Sequence, residues 1–99
     1  MARFAIYENP EGPGYLLDVQ ANLLSHLNTR MVVPLLPLEQ APRPAQTLNP
    51  VFQIGTGSFV MATQFMAAVP VRLLKMQVQT ADERAFDITS ALDVLFQGV

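Results

Sequence analysis

Ser25 and His26 are adjacent, Asp18 lies shortly before them, and His26 is the one histidine in the chain. A serine nucleophile needs a histidine base and a third group to orient that base. The residue types are present, but no signature motif surrounds them, and His26 reads as a solvated or structural side chain. One histidine, no cysteine and scattered carboxylates match none of the known metal-ligand spacings. Ile54-Gly55-Thr56-Gly57-Ser58 lacks the length and the lysine of a phosphate-binding loop, and it joins two strand-like runs. Asp82 and Glu83 could serve as paired acids, yet a helix start accounts for both. Met61, Met66 and Met76 read as adaptable core filling. These motifs call for no metal or cofactor, and none of them marks an enzyme.

Charge and composition narrow the field further. Six Lys and Arg residues are spread singly along 99 residues of net charge −2. That leaves no basic stripe to neutralise a phosphate backbone, which argues against direct nucleic-acid binding. Hydrophobic residues make up 51% of a chain of one-domain length. A domain this small buries only about two-thirds of its unfolded surface. A dense core or a second subunit must cover the excess, and a two-fold homodimer is the commonest solution. The absence of cysteine fits a cytoplasmic home. MARFAIYENP has too short an apolar run for a signal peptide. The longest apolar stretch, MVVPLLPL, falls well below the about 18 residues of a spanning helix, so no membrane association is expected.

The elements that must position these residues follow from periodicity. Arg3 to Tyr7 alternates like a half-buried strand and ends at the turn cluster NPEGPG; YLLDVQ returns, so residues 3–20 form a hairpin. ANLLSHLN is a short helix or a turn carrying two leucines. TRMVVPLL is a third strand, with Pro34 at a bulge or an edge because proline cannot donate to a ladder. Residues 37–50, with four prolines, form a surface loop that could serve a partner. VFQIG and SFVMAT flank Gly55-Thr56-Gly57 as a second hairpin. VPVRLLKMQV reads as one more strand with Pro70 at its start. Thr80 and Glu83 have capping-box spacing for a terminal helix, and Asp82 adds favourable negative charge there. At 100° per residue Ala85, Ile88, Leu92, Leu95 and Phe96 form its core stripe, with Phe86, Ser90, Asp93 and Gln97 on or near the opposite face. Four or five antiparallel strands and one helix indicate a mainly β fold, a small barrel or curled sheet.

Two features remain without a structural explanation. One is the apolar pair Leu23-Leu24 in a polar connection. The other is a helix that runs through Phe96-Gln97-Gly98-Val99 with no C-cap. The string LDVLFQGV is close to a protease site used to remove purification tags. It has Val where that site has Pro, and it completes the helix stripe, so it reads as native.

LLDVQANLL, NTRMVVPL, NPVFQIG, TQFMAAVPV and ALDVLFQGV occur in the order and spacing of the CcdB plasmid-maintenance toxins, and the chain resembles that family from ARFAIY to its last residue. The resemblance implies one CcdB-like toxin domain over residues 1–99. Its fold would be an SH3-like, barrel-type antiparallel sheet of the CcdB and MazF kind with a C-terminal helix, as a homodimer. It also implies a non-enzymatic activity: binding the A subunit of DNA gyrase and trapping its cleaved-DNA complex. The implied partners are gyrase and a CcdA-like antitoxin, with operator DNA reached only through the antitoxin in transcriptional autoregulation. Loop 37–50 and the Leu23-Leu24 region are candidate antitoxin contacts.

Carried over position by position, the gyrase contacts are Leu23, Leu24, Asp93, Phe96, Gln97, Gly98 and Val99. Asp93 stands where the family has Asn, and Gln97 where its best-known member has a Trp that stacks on a gyrase arginine. Two other functions stay open: a non-toxic relative that still binds antitoxin, and a MazF-like endoribonuclease using arginines such as Arg30.

Overall fold

The computed structural model describes residues 2–98. Strands β1 (Ala5–Glu8) and β2 (Tyr15–Asp18) form the first hairpin, in register from Ile6 opposite Leu17 to Glu8 opposite Tyr15. Its turn is shaped by Asn9, whose side-chain oxygen accepts the Glu11 N–H at 3.0 Å. Gly14 closes the turn at φ +92, a conformation costly for any residue with a Cβ. A Cβ there would also collide with the Leu35 carbonyl oxygen of the neighbouring strand.

Strand β3 (Thr29–Pro37) is the spine. β2 lies along one side of it, while β5 (Gly57–Met61) and β6 (Ala67–Pro70) share the other, β6 against Thr29–Val32 and β5 against Leu35–Pro37. Pro34 sits at the changeover. Its carbonyl accepts the Ala62 N–H at 2.9 Å, and its missing N–H faces the same side, where no strand pairs with it. The proline thus marks an internal seam rather than an outer edge or a bulge. β4 (Val51–Ile54) completes the second hairpin through Gly55 and Thr56, with Gly55 at φ +61.

The expected strand over 69–78 divides in two. β6 ends at Pro70, a 3-10 turn covers Val71–Leu73, and β7 (Gln77–Thr80) pairs with β1 at the far side of the sheet. The Val71 N–H donates to Asn28 O at 2.9 Å and the Leu74 N–H to Val71 O at 2.9 Å, which bends the chain away from β3. Among the described residues the sheet therefore has seven strands, in the order β4-β5-β3-β2-β1-β7 with β6 beside β3, curled into a half-barrel.

The main core contains Ile6, Leu17, Val33, Leu35, Phe52 and Met61 under Ile88 and Ala91 of the helix. β1 is buried on both faces, not one. Ala5 and Tyr7 point away from the helix into a second cluster with Leu16, Val32 and Leu74. The β6–β7 connection supplies that cover. Met61 is buried and Met66 partly so, whereas Met76 is exposed and fills no core.

Helix α1 spans Ala85–Gln97. No capping box forms, because Thr80 is paired with Ala5 in the sheet and a 3-10 turn, Asp82–Arg84, intervenes. Arg84 ties the helix start to edge strand β4. Its guanidinium bonds Asp87 at 2.9 Å, donates to Val51 O at 3.0 Å and lies 4.3 Å from the Phe52 ring centroid. Ala85 and Leu92 pack on the core as expected, but Phe96 is 69% exposed. The helix end is capped after all: Gly98 adopts φ +78 and its N–H donates to Val94 O at 3.0 Å.

Gly14→Ala should destabilise the protein by more than about 1 kcal/mol in urea denaturation. Gly12→Ala, where a Cβ meets nothing closer than Asn9 Nδ2 at 4.0 Å, should stay within about 0.5 kcal/mol of the parent. Equal effects would contradict the assigned turn.

Candidate functional site

The residues with catalytic potential do not assemble. His26 is exposed, and the Ser25 hydroxyl donates to Asn22 O at 2.6 Å rather than to a base. Asp18 is fully buried and committed elsewhere. Gly55-Thr56 is a hairpin turn. Among the described residues, no group of three or more His, Cys, Asp or Glu is placed to hold a metal ion.

Asp18 and Arg30 instead face each other across β2 and β3, both wholly excluded from solvent. Arg30 Nε donates to Asp18 Oδ2 at 2.8 Å and Nη2 to Asp18 Oδ1 at 2.9 Å, a bidentate pair. Nη2 also donates to Gln20 O at 3.0 Å, and Nη1 reaches Ser25 Oγ at 3.5 Å. Asp18 Oδ1 accepts the Gln20 N–H at 3.0 Å. Burial, reinforced by the Asp18 carboxylate, pushes the Tyr7 hydroxyl above its ordinary pKa against the pull of Arg30, so Tyr7 stays neutral. Arg30 is thus unavailable as an RNA contact. This network was missed in the sequence, where the clue was a charge of each sign embedded in two buried runs, YLLD and RMVV.

The network supports the turn that carries Leu23 and Leu24. Asn22–Leu24 is a 3-10 turn with no buried residue, and Leu23 is 87% exposed. Arg3 N–H donates to Asn22 Oδ1 at 2.8 Å, which ties the turn to the start of the first hairpin. A cleft of about 390 Å³ flanks it, lined by Leu27, Asn28, Pro70, Val71 and Arg72 with Ser25.

The remaining candidates lie at the end of α1. Asp93, Phe96 and Gln97 are exposed, Gly98 forms the cap, and Val99 lies outside the described residues. No hydrogen bond joins this group to the Leu23 turn among the described residues. Phe86, at the helix start, is 81% exposed. Loop 37–50 is anchored at its far end, where buried Asn49 donates to Met61 O at 2.9 Å and Gln64 Oε1 at 2.8 Å.

A curled antiparallel sheet backed by one helix presents apolar side chains to solvent on a hydrogen-bonded turn and at a helix end. That defines the class: a small, mainly β protein whose candidate site is a contact surface. A family model described as CcdB protein matches residues 3–98, and the chain belongs to this family of toxins from toxin–antitoxin systems. The matched span includes the LDVLFQG string. No helix among the described residues is long and apolar enough to cross a membrane.

Removing one partner of the buried pair leaves the other charge uncompensated. Arg30→Met should therefore cost about 3–5 kcal/mol in urea denaturation. Arg30→Lys should also destabilise, because an ammonium cannot reproduce the two-pronged bond. A loss below about 1 kcal/mol in Arg30→Met would show that the pair is not the support described.

Proposed function

We propose that this single domain of residues 1–99 acts as a homodimeric, cytoplasmic gyrase poison without catalysis of its own. It binds the A subunit of DNA gyrase and traps the enzyme with its DNA cleaved. The reading is supported by family membership over nearly the whole chain. The observation that carries it is Leu23, held almost fully in water on a turn whose backbone is already bonded. Burying such a side chain against a partner is worth about 1.5–3 kcal/mol.

The proposed contact residues are Leu23, Leu24, Asp93, Phe96, Gln97, Gly98 and Val99. Higher affinity for the open, cleaved gate than for the resealed enzyme shifts gyrase toward the cleaved state. A two-fold toxin in a two-fold gate makes each contact twice. A CcdA-like antitoxin, folding its disordered segment onto the toxin, relieves the block and carries the operator binding. Net charge −2 suits a toxin that leaves DNA to its partner.

The test is a gyrase cleavage-complex assay with and without the antitoxin segment. Leu23→Ala/Leu24→Ala and deletion of Gln97–Val99 should each abolish trapping while the proteins stay folded. A folded truncation that remains fully toxic would remove the helix end from the site. Antitoxin binding without cleavage complexes would identify a non-toxic relative, and sequence-specific RNA cleavage an endoribonuclease.

Gln97 can hydrogen-bond but cannot stack on a guanidinium. Gln97→Trp should therefore strengthen trapping by about 2–30-fold, the equivalent of a cation–π contact of about 0.5–2 kcal/mol. Dose–response curves of cleavage-complex formation measure this directly.

A further inference from the structure

We propose that Gln20 is a positioning residue that fixes the shape of the Leu23-Leu24 turn for its partner. Its side-chain amide bridges two segments, the turn and the start of β3. Nε2 donates to Leu24 O at 3.2 Å and to Thr29 O at 3.2 Å, while Oε1 accepts the Met31 N–H at 3.0 Å. One end of the turn is thereby pinned to the first residues of β3.

The backbone of Gln20 is itself held. Its N–H donates to Asp18 Oδ1 and its carbonyl accepts from Arg30 Nη2, each at 3.0 Å. The buried ion pair acts as an anchor, Gln20 as the arm, and the turn as the load. Ser25 adds a second tie, accepting from Arg30 Nη1 and donating to Asn22 O.

The arm is not needed for the sheet. β2 and β3 are already in register through four residue pairs, Tyr15–Leu35 to Asp18–Val32, with Leu17, Val33 and Leu35 wholly buried. The turn has less such support: none of Asn22, Leu23 and Leu24 is buried, Leu23 is almost fully exposed and Leu24 is only partly covered. Hydrogen bonds therefore carry much of its ordering, and a turn ordered beforehand loses less freedom on binding.

This inference rests on the reading of Leu23 and Leu24 as gyrase contacts. Gln20→Met keeps the length of the side chain and removes its hydrogen bonds. Its affinity for purified gyrase A subunit should fall about tenfold, as expected when several side chains must be ordered on binding. Amide exchange at Leu24, Ser25 and Leu27 should accelerate, as should that of Met31, which loses its Oε1 acceptor, while the other β2 and β3 amides keep their protection.

A double-mutant cycle separates positioning from general stability. If Gln20 acts through the leucines, Gln20→Met should cost nothing further in a Leu23→Ala/Leu24→Ala background. Full additivity would overturn the proposal. Unchanged exchange in the turn of Gln20→Met would overturn the clamp while leaving the contact assignment standing. Undiminished affinity in Leu23→Ala/Leu24→Ala would overturn the contact assignment, and the positioning role with it, even if exchange showed the clamp to be real.

Discussion

A carboxylate and a guanidinium, both without access to water, meet across the second and third strands, and much of the molecule is arranged around them. Each charge would be costly alone in that environment, and together they are tolerated only because the geometry is bidentate and the spare donors and acceptors are filled. The filling is informative. The remaining guanidinium bonds go to Gln20 O and Ser25 Oγ, and the carboxylate also takes the Gln20 N–H. The demand to satisfy a buried ion pair thus fixes the path of the connection that leaves β2. A polar constraint inside the sheet determines where two leucines stand outside it.

The sheet around this pair is covered unevenly. The helix and the main core fill one face, while Leu74 and Val69 shield part of the other. The strands at the two ends of its main path, β4 and β7, are not paired with each other. Arg84 spans part of that opening by bonding the Val51 carbonyl and lying against Phe52, so a side chain does there what a strand pair would do in a closed barrel. The helix is consequently held at its start, and its far end projects Asp93, Phe96 and Gln97 into solvent.

Local patterns were legible in the sequence where local chemistry decides the structure. Both hairpins follow from their turn residues, and the helix from its periodicity. Features set by distant partners were not. The break at Val71 depends on the Asn28 carbonyl, and the failure of Thr80 to cap depends on its pairing with Ala5. Phe96 fits the core stripe by angle, but it lies where the helix has run past the buried Ile88 and Ala91. The exposed leucines were visible as an oddity of composition. The Gln20 and Arg30 bonds that support them join residues from separate strands, and no spacing rule announces such a meeting.

The pairing of β1 with β7 has a consequence for how the chain is made. Ala5 and Thr80 are neighbours in the sheet, yet 75 residues of synthesis separate them (80 − 5). At about 5–20 residues per second, β1 waits several seconds on the ribosome with one side unpaired. Such distant contacts also slow folding, because loop closure must precede the contacts that reward it. The Leu23 turn and the residues that brace it, Asp18, Gln20 and Arg30, are thus made well before β1 gains its second partner, so the apolar turn meets solvent from early in synthesis.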